Sequence, residues 1–253
     1  MKTVIEPSRQ IPVAADFDVI VAGGGVAGCA AALAAAQEGC KVALLERMFA
    51  LGGLATLGNI SIYLPICDGY GTQVIGGLGE TLLKLSCRDI AGSNPELRFE
   101  PIPEVWREPE RFSRSERAQA RYRCQFNPAS FMLALEEILL DAGVEIFYDT
   151  RLVSVQRSNE ELSHVIVENK SGRLALAGRA FVDATGDADL CFLAGEATHN
   201  LDGNVVAGWH YWSINGKLHQ AVLSKPYAKD GRPRDNDGPF FRGDDGRSVS
   251  SQV

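Results

Sequence analysis

The stretch from Phe17 to Arg47, FDVIVAGGGVAGCAAALAAAQEGCKVALLER, carries no charge between Asp18 and Glu38 and is dense in glycine and alanine. Its uncharged run, Val19 to Gln37, reaches the minimum length of a bilayer span. Three consecutive glycines interrupt it, and alanine, which gains little from lipid, fills most of the rest. Two shorter elements account for it better than a membrane helix. DVIVA is a short buried strand, β-branched and apolar. VAGCAAALAAAQEG is rich in the best helix former and ends at Gly39, a residue suited to closing a helix. KVALLE supplies a second buried strand. Strand, Gly-rich turn, helix and strand within about 30 residues make a βαβ unit.

Gly23, Gly25 and Gly28 form G-x-G-x-x-G where the first strand passes into the helix, with Val26 and Ala27 between the last two. In that context each glycine has a physical task. Gly23 permits the tight turn, Gly25 lets backbone approach a pyrophosphate, and Gly28 lets the helix pack closely on the strand. The helix N-terminus offers unpaired N–H groups and a partial positive charge to phosphates. Glu46 ends the second strand, where its carboxylate can accept hydrogen bonds from the ribose hydroxyls of an adenosine. The plainer alternative is a Gly-rich turn that packs tightly and binds nothing. These residues indicate an ADP-containing dinucleotide and leave NAD and FAD both open, because each presents a ribose diol and a pyrophosphate.

Downstream, FALGGLATLGNISIYLPICDGYGTQVIGGLGE is too irregular for a regular element and too apolar for a solvated linker. GGLGETLLKLSCRDIAG reads as a helix with Leu78, Leu82 and Leu85 near one face. Residues 93–126 are charged and proline-bearing, an excursion from the core with one short helix and a solvated charged face. NPASFMLALEEILLDAG returns to a helix capped by Asn127, with Pro128 in its first turn and Gly143 at its end. VEIFYDT follows as a strand. RLVSVQRS, ELSHVIVENK and RLALAG then form a β-meander at about 151–177, separated by NE and SG turn signals. RAFVDATGDADL closes the series with a buried strand running into a Gly-Asp turn. GNVVAGWHYWSING can pair as strands, and the Gly, Pro, Asp and Arg-rich tail reads as loop or disorder.

The net charge of −7 argues against a general nucleic-acid binder. Six cysteines, at 29, 40, 67, 87, 124 and 191, make no CxxC pair and match no zinc or disulfide framework. Reduced, mostly buried thiols in a cytoplasmic protein are expected. The N-terminus, MKTVIEPSRQIPVAAD, lacks the apolar region of a secretory signal.

Four motifs in order, GGGVAGCAAALAAAQEGCKVALLERMFALGGLATLG, GGLGETLLKL, FNPASFMLALEEILLDAGVEIFYDTRLVSV and FVDATGDADLCFLAGE, resemble the FAD-dependent oxidoreductase family of the glutathione-reductase-like superfamily. The resemblance covers roughly residues 16–196, and the ordered set is far more specific than any single motif. It implies noncovalent FAD. It assigns Glu46 to the ribose and Arg47 to a position beside the adenosine or the phosphates. Gly52, Gly53, Leu54, Ala55 and Thr56 would pass near the pyrophosphate and the flavin. Backbone groups of Val153 would clamp the adenine edge. Ala184, Thr185 and Gly186 would close over the nucleotide, and Asp187 is either a second polar contact or a simple turn aspartate. Relatives carry a late Gly-Asp or Gly-Gly segment that covers the flavin. Gly243-Asp244 lies in a polar tail with no buried strand before it, so a fragment, a truncated homologue or one piece of a larger assembly is expected.

Weaker candidates are Cys67, placed near the flavin without a CxxxxC partner, and His199, His210 and His219 as proton-transfer residues. GWHYW, through Trp209 to Trp212, reads either as a flavin or substrate face or as a strand with aromatic packing. No metal cluster stands out. The expected fold is α/β, a Rossmann-like FAD-binding domain with a central parallel sheet and an inserted antiparallel β-meander. Residues 1–15 would be an N-terminal extension, 16–196 the FAD-binding domain, and 197–253 the start of a second or substrate region. The expected function is a flavin-dependent oxidoreductase acting on a small molecule, with no nucleic-acid or membrane partner. Expected partners are a homo-oligomer or a chain supplying the missing flavin cover. The rival readings are a noncatalytic dinucleotide-binding module and an NAD-dependent dehydrogenase.

Overall fold

The computed structural model describes residues 2–63, 74–87, 108–119, 124–158, 161–200, 209–222 and 245–247. Its elements are β1 (Val13–Ala22), α1 (Val26–Gln37), β2 (Val42–Leu45), β3 (Ile62–Tyr63), α2 (Leu78–Cys87), α3 (Arg114–Gln119), β4 (Cys124–Gln125), α4 (Pro128–Asp141), β5 (Glu145–Phe147), β6 (Arg151–Ser158), β7 (Glu161–Asn169), β8 (Gly172–Asp183), α5 (Asp189–Leu193), β9 (Trp209–Ile214) and β10 (Lys217–Val222). The chain divides into two compact units, Met1–Glu196 and Ala197–Val253.

The first unit is built on a six-stranded sheet in the order β5-β2-β1-β8-β7-β6. β5, β2, β1 and β8 run parallel, while β7 is antiparallel to both β8 and β6. The expected α/β fold with a parallel centre is therefore present. The meander is joined to it more intimately than the sequence implied. RLALAG and RAFVD are one strand, β8, which pairs with β7 through Ala177 and with β1 as far as Asp183. Gly178, at the expected end of a strand, lies within one. A β-carbon there would stand 2.8 Å from the Phe181 ring and 3.0 Å from Ile20 Cδ1, so the missing side chain is a packing requirement. The length of β8 also draws the start of β1 back to Val13, inside the stretch assigned to an extension, with the Ala175 N–H donating to the Pro12 carbonyl at 2.9 Å.

Alternation along the central strands sends side chains to two faces. Val21, Val42 and Leu44 join a cluster with Leu33 of α1, Leu82 and Leu83 of α2, and Phe131, Leu135 and Leu139 of α4. Ile20, Ala22, Ala43 and Leu45 face a second cluster with Val165, Val167, Leu176 and Leu190. Each fully buried leucine in these layers stabilises the fold by roughly 1.5–3 kcal/mol relative to exposure. The buried face of α2 is centred one residue past the expected one. Leu82 and Leu83 are buried, with Leu78 and Leu85 packed partly against them.

Helix ends follow the sequence signals. The Asn127 side chain accepts from the N–H groups of Ala129 at 3.0 Å and Ser130 at 3.4 Å, with Pro128 first in the helix and Gly143 beyond its end at φ +81°. Gly39, at φ +82°, closes α1 by donating to Ala36 O. The short helix expected in the excursion is α3; residues 93–107 lie outside the described ones. In the second unit β9 and β10 form an antiparallel hairpin. Its turn residues, Asn215 and Gly216, both have positive φ, the two-residue turn that matches strand twist. Of GNVVAGWHYWSING, residues 203–208 lie outside the described ones, and the partner of Trp209–Ile214 is the next segment, Lys217–Val222. Among the described residues no helix is long and apolar enough to cross a membrane.

Candidate dinucleotide site

Because β1, β2 and β8 are parallel, the loops leaving their carboxyl ends meet on one edge of the sheet, the place where open α/β sheets bind ligands. The Gly23 N–H donates to Leu45 O and the Ala184 N–H to Ala22 O, each at 2.8 Å, so all three loops begin in register. Gly23 has φ +100°, and a β-carbon on it would stand 2.4 Å from Ala184 O. Gly28 is buried, and its β-carbon would stand 1.8 Å from Gly23 O. Gly25 differs: beyond the adjoining residues, nothing lies within 4 Å of where its β-carbon would be. It is the N-cap of α1, with no side-chain cap. The N–H groups of Val26 and Ala27, in the first turn, have no partner within the helix.

The GG-x-A-T segment docks on the same loop. The Gly52 N–H donates to Gly24 O at 2.8 Å, Gly52 forms a parallel bridge with Gly25, and a β-carbon on Gly53 would lie 3.2 Å from Gly25 Cα. Leu54 is exposed and Ala55 half-buried. Thr56 turns away: it is buried, and its hydroxyl donates to Leu51 O.

Glu46 is buried at the end of β2. Its Oε2 accepts from the Gly24 N–H and its Oε1 from the Met48 N–H, both at 2.7 Å. Its own N–H donates to Phe147 O, and its carbonyl accepts from the Thr150 N–H. Each carboxylate oxygen keeps a further lone pair for a ligand hydroxyl. Gly24 went unremarked in the sequence, although a β-carbon there would meet Leu51 Cδ2 at 2.7 Å and Glu46 Oε2 at 2.9 Å. The signal is its place as the middle glycine of an unbroken run of three. Arg47, beside Glu46, is exposed.

At the end of β8, Asp183 organises the ATG turn. Its Oδ1 accepts from the Thr185 N–H at 3.0 Å and the Thr185 hydroxyl at 2.7 Å, and its Oδ2 from the Cys191 N–H at 2.9 Å. The Thr185 hydroxyl accepts in turn from the Asp189 N–H. Burial pushes the Asp183 carboxyl up, but the bonds from Cys191 and Thr185 outweigh it and hold the group below the ordinary aspartate value. Sequence reading missed Asp183 and singled out Asp187, which is exposed, as is Gly186 at φ +88°. Burial and then the neighbouring charge of Asp187 raise the Asp189 carboxyl, while Arg47 pulls it the other way. Val153 occupies a bulge: the β6–β7 register steps from Leu152↔Val167 to Ser154↔Ile166 and passes over it. An extra residue of this kind is left out of the ladder.

Cys67 and Gly243-Asp244 lie outside the described residues. His199 is exposed, while His210, Trp209 and Trp212 lie on β9 and His219 on β10. Cys29 and Cys87 are buried, Cys40 and Cys191 half-buried, and none of the four is in a disulfide. Burial pushes the Cys29 thiol up to about 12. Among the described residues no three His, Cys, Asp or Glu side chains group to hold a metal.

The cradle fits the ADP half of a dinucleotide. It combines free space over Gly25, open helix N–H groups and a buried carboxylate with remaining acceptor capacity.

A sequence profile described as "FAD dependent oxidoreductase" matches residues 18–204. Three solved structures illustrate the wider likeness. The 3-ketosteroid-Δ4-(5α)-dehydrogenase from Rhodococcus jostii RHA1 is 19% identical, with 68% of this chain and 46% of that one covered and a TM-score of 0.42. The anhydrotetracycline hydroxylase OxyS from Streptomyces rimosus is 15% identical, covering 82% and 44%, with a TM-score of 0.48. The L-amino acid deaminase from Proteus vulgaris is 17% identical, covering 74% and 51%, with a TM-score of 0.45. The matched region thus spans about half the length of these proteins or less.

Proposed function

We propose, from the premise that the chain belongs to the FAD-dependent oxidoreductase family, that it is a flavoenzyme oxidising or reducing a small organic molecule, with its cofactor FAD held noncovalently by the loops at the carboxyl ends of β1, β2 and β8. The observation that carries this reading is the pairing of an open α1 N-terminus at Gly25 with the buried Glu46 carboxylate, linked through Gly24.

In this reading the N–H groups of Val26 and Ala27, and the backbone at Gly25, hold the diphosphate, while Gly23 and Gly28 shape the turn. Glu46 accepts from the ribose hydroxyls and Arg47 lies beside the adenosine or the phosphates. The main chain of Val153, released from the ladder by its bulge, meets the adenine edge. Ala184, Thr185 and Gly186 close over the nucleotide, with Asp187 as a second polar contact. Gly52, Gly53, Leu54 and Ala55 run from the pyrophosphate towards the flavin. Thr56 braces that turn from inside, its hydroxyl held by Leu51 O. Bound FAD supplies two-electron redox chemistry, and the protein supplies orientation and exclusion of water.

A visible spectrum with cofactor extraction tests this. A yellow protein that releases FAD and bleaches anaerobically with a reductant supports it. A colourless protein that binds ADP but does not retain FAD replaces it with a dinucleotide-binding module, and binding of NADH without flavin replaces it with a dehydrogenase.

A further inference from the structure

We infer that Glu46 acts on the diphosphate as well as on the ribose, as a positioning residue whose carboxylate fixes the main chain of the phosphate loop through the Gly24 N–H. This rests on the dinucleotide reading above and deepens it.

The geometry is a buried carboxylate with both oxygens in use before any ligand arrives. Oε2 holds the N–H of Gly24, the residue between the two glycines of the turn, and Oε1 holds the N–H of Met48 on the far side of Arg47, both at 2.7 Å. Bonds from N–H groups to an ionised acceptor are about twice as strong as neutral ones. The Gly24 carbonyl is also occupied, accepting the Gly52 N–H at 2.8 Å and the Cys29 thiol at 3.4 Å. Gly24 is thus gripped at its N–H by the end of β2 and at its C=O by the GG-x-A-T segment and by α1. Gly25 and the open end of α1 follow directly from it. There is no room for compensation by a side chain at Gly24, because a β-carbon would stand 2.9 Å from Oε2. The carboxylate that meets the sugar is therefore also the clamp that sets where the next peptide stands, so loss of its reach should be felt at the phosphates.

The two roles separate with 2′,3′-dideoxy-ADP, which lacks the hydroxyls Glu46 would hold, so any effect of Glu46 on its binding must travel through the protein. Glu46→Asp keeps the charge, leaving the electrostatics of anion binding unaltered, but shortens the side chain by one methylene, so that both 2.7 Å bonds cannot be kept. Affinity of the cofactor-stripped full chain is read by calorimetry well below its unfolding temperature. The variant should bind 2′,3′-dideoxy-ADP about ten-fold more weakly than the wild type, and its Gly24 amide should exchange with solvent faster. Equal affinity in a folded variant overturns the inference and leaves the ribose role standing. Should the variant not fold, amide exchange in the wild type decides. Protection of both the Gly24 and Met48 amides without ligand supports the clamp, and free exchange at Gly24 removes it. A wild-type chain that binds neither ADP nor the dideoxy analogue removes the dinucleotide reading itself, and the inference with it.

Discussion

A β-carbon on Gly28 would lie 1.8 Å from the carbonyl oxygen of Gly23, whereas one on Gly25, three residues earlier, would meet nothing within 4 Å beyond the adjoining residues. Two glycines of a single motif are thus required for opposite reasons. One lets a helix rest against a turn, and the other keeps a space empty.

Substitution should separate these reasons. Gly28→Ala must push α1 away from the turn and should destabilise the fold by about 1–3 kcal/mol, the usual scale of overpacking, visible as a lower urea midpoint. A β-carbon on Gly25 meets nothing within 4 Å beyond the adjoining residues, so Gly25→Val should lose less stability than Gly28→Ala when both are unfolded without cofactor, while flavin content falls to background, because the branched side chain occupies the space reserved for the pyrophosphate. Normal flavin content in Gly25→Val would remove the cradle from this position.

Thiol reactivity follows from burial. Cys29 lies in the first turn of α1, a location that would ordinarily favour a thiolate. Burial dominates instead and pushes its thiol up to about 12. Iodoacetamide at pH 8 should leave Cys29 unmodified in the native protein and alkylate it fully in guanidinium, as read by peptide mass mapping. Rapid native labelling of Cys29 would mean that α1 does not seat on the sheet as described.

The βαβ unit was legible because its signals are local. A β-branched run, a spaced set of glycines and an alanine-rich helix sit within 30 or so residues, and each reports on its own neighbourhood. The cap at Asn127 was legible for the same reason. Much of what could not be read depends on residues that only the folded sheet brings together. Gly178 looks like a terminator until Phe181 and Ile20 are seen to fill its missing side chain. The residues from Val13 to Phe17 alternate too weakly to announce a strand, and pair only because β8 continues alongside them. In the site, the glycine spacing showed the turn, but the bond from Gly24 to Glu46, 22 residues on, leaves no trace in the local pattern, whereas the bonds from Thr185 to Asp183 span only two residues and are a local signal.

The cap itself is testable. The Asn127 side-chain Oδ1 accepts from two N–H groups that α4 cannot otherwise satisfy, and α4 carries Phe131, Leu135 and Leu139 into the core. Asn127→Ala should cost about 1 kcal/mol, measured by urea unfolding, while Asn127→Asp, which keeps the acceptor and adds favourable charge at the helix start, should cost less. Equal losses in the two variants would mean that the oxygen is not the active element of the cap.

Asp183 gives the stability of the site edge a pH dependence of definite sign. Its carboxyl is held below the ordinary aspartate value because the Cys191 and Thr185 donors outweigh the cost of burial. A carboxyl with a depressed folded-state pKa stabilises the native state fully above its unfolded pKa, about 3.9, and loses that contribution as pH falls through the folded value. Asp183→Asn mimics the protonated form and sets an amide N–H₂ against one of the three donors. The variant should be less stable than wild type by about 1–3 kcal/mol at pH 7, and the gap should stay constant down to about pH 5 and then close as the wild-type carboxylate is itself protonated. Urea unfolding of both proteins at pH 7, 5 and 3 measures this. A gap unchanged at pH 3 would mean that Asp183 carries no linked charge, and that its acceptor geometry alone sets the difference.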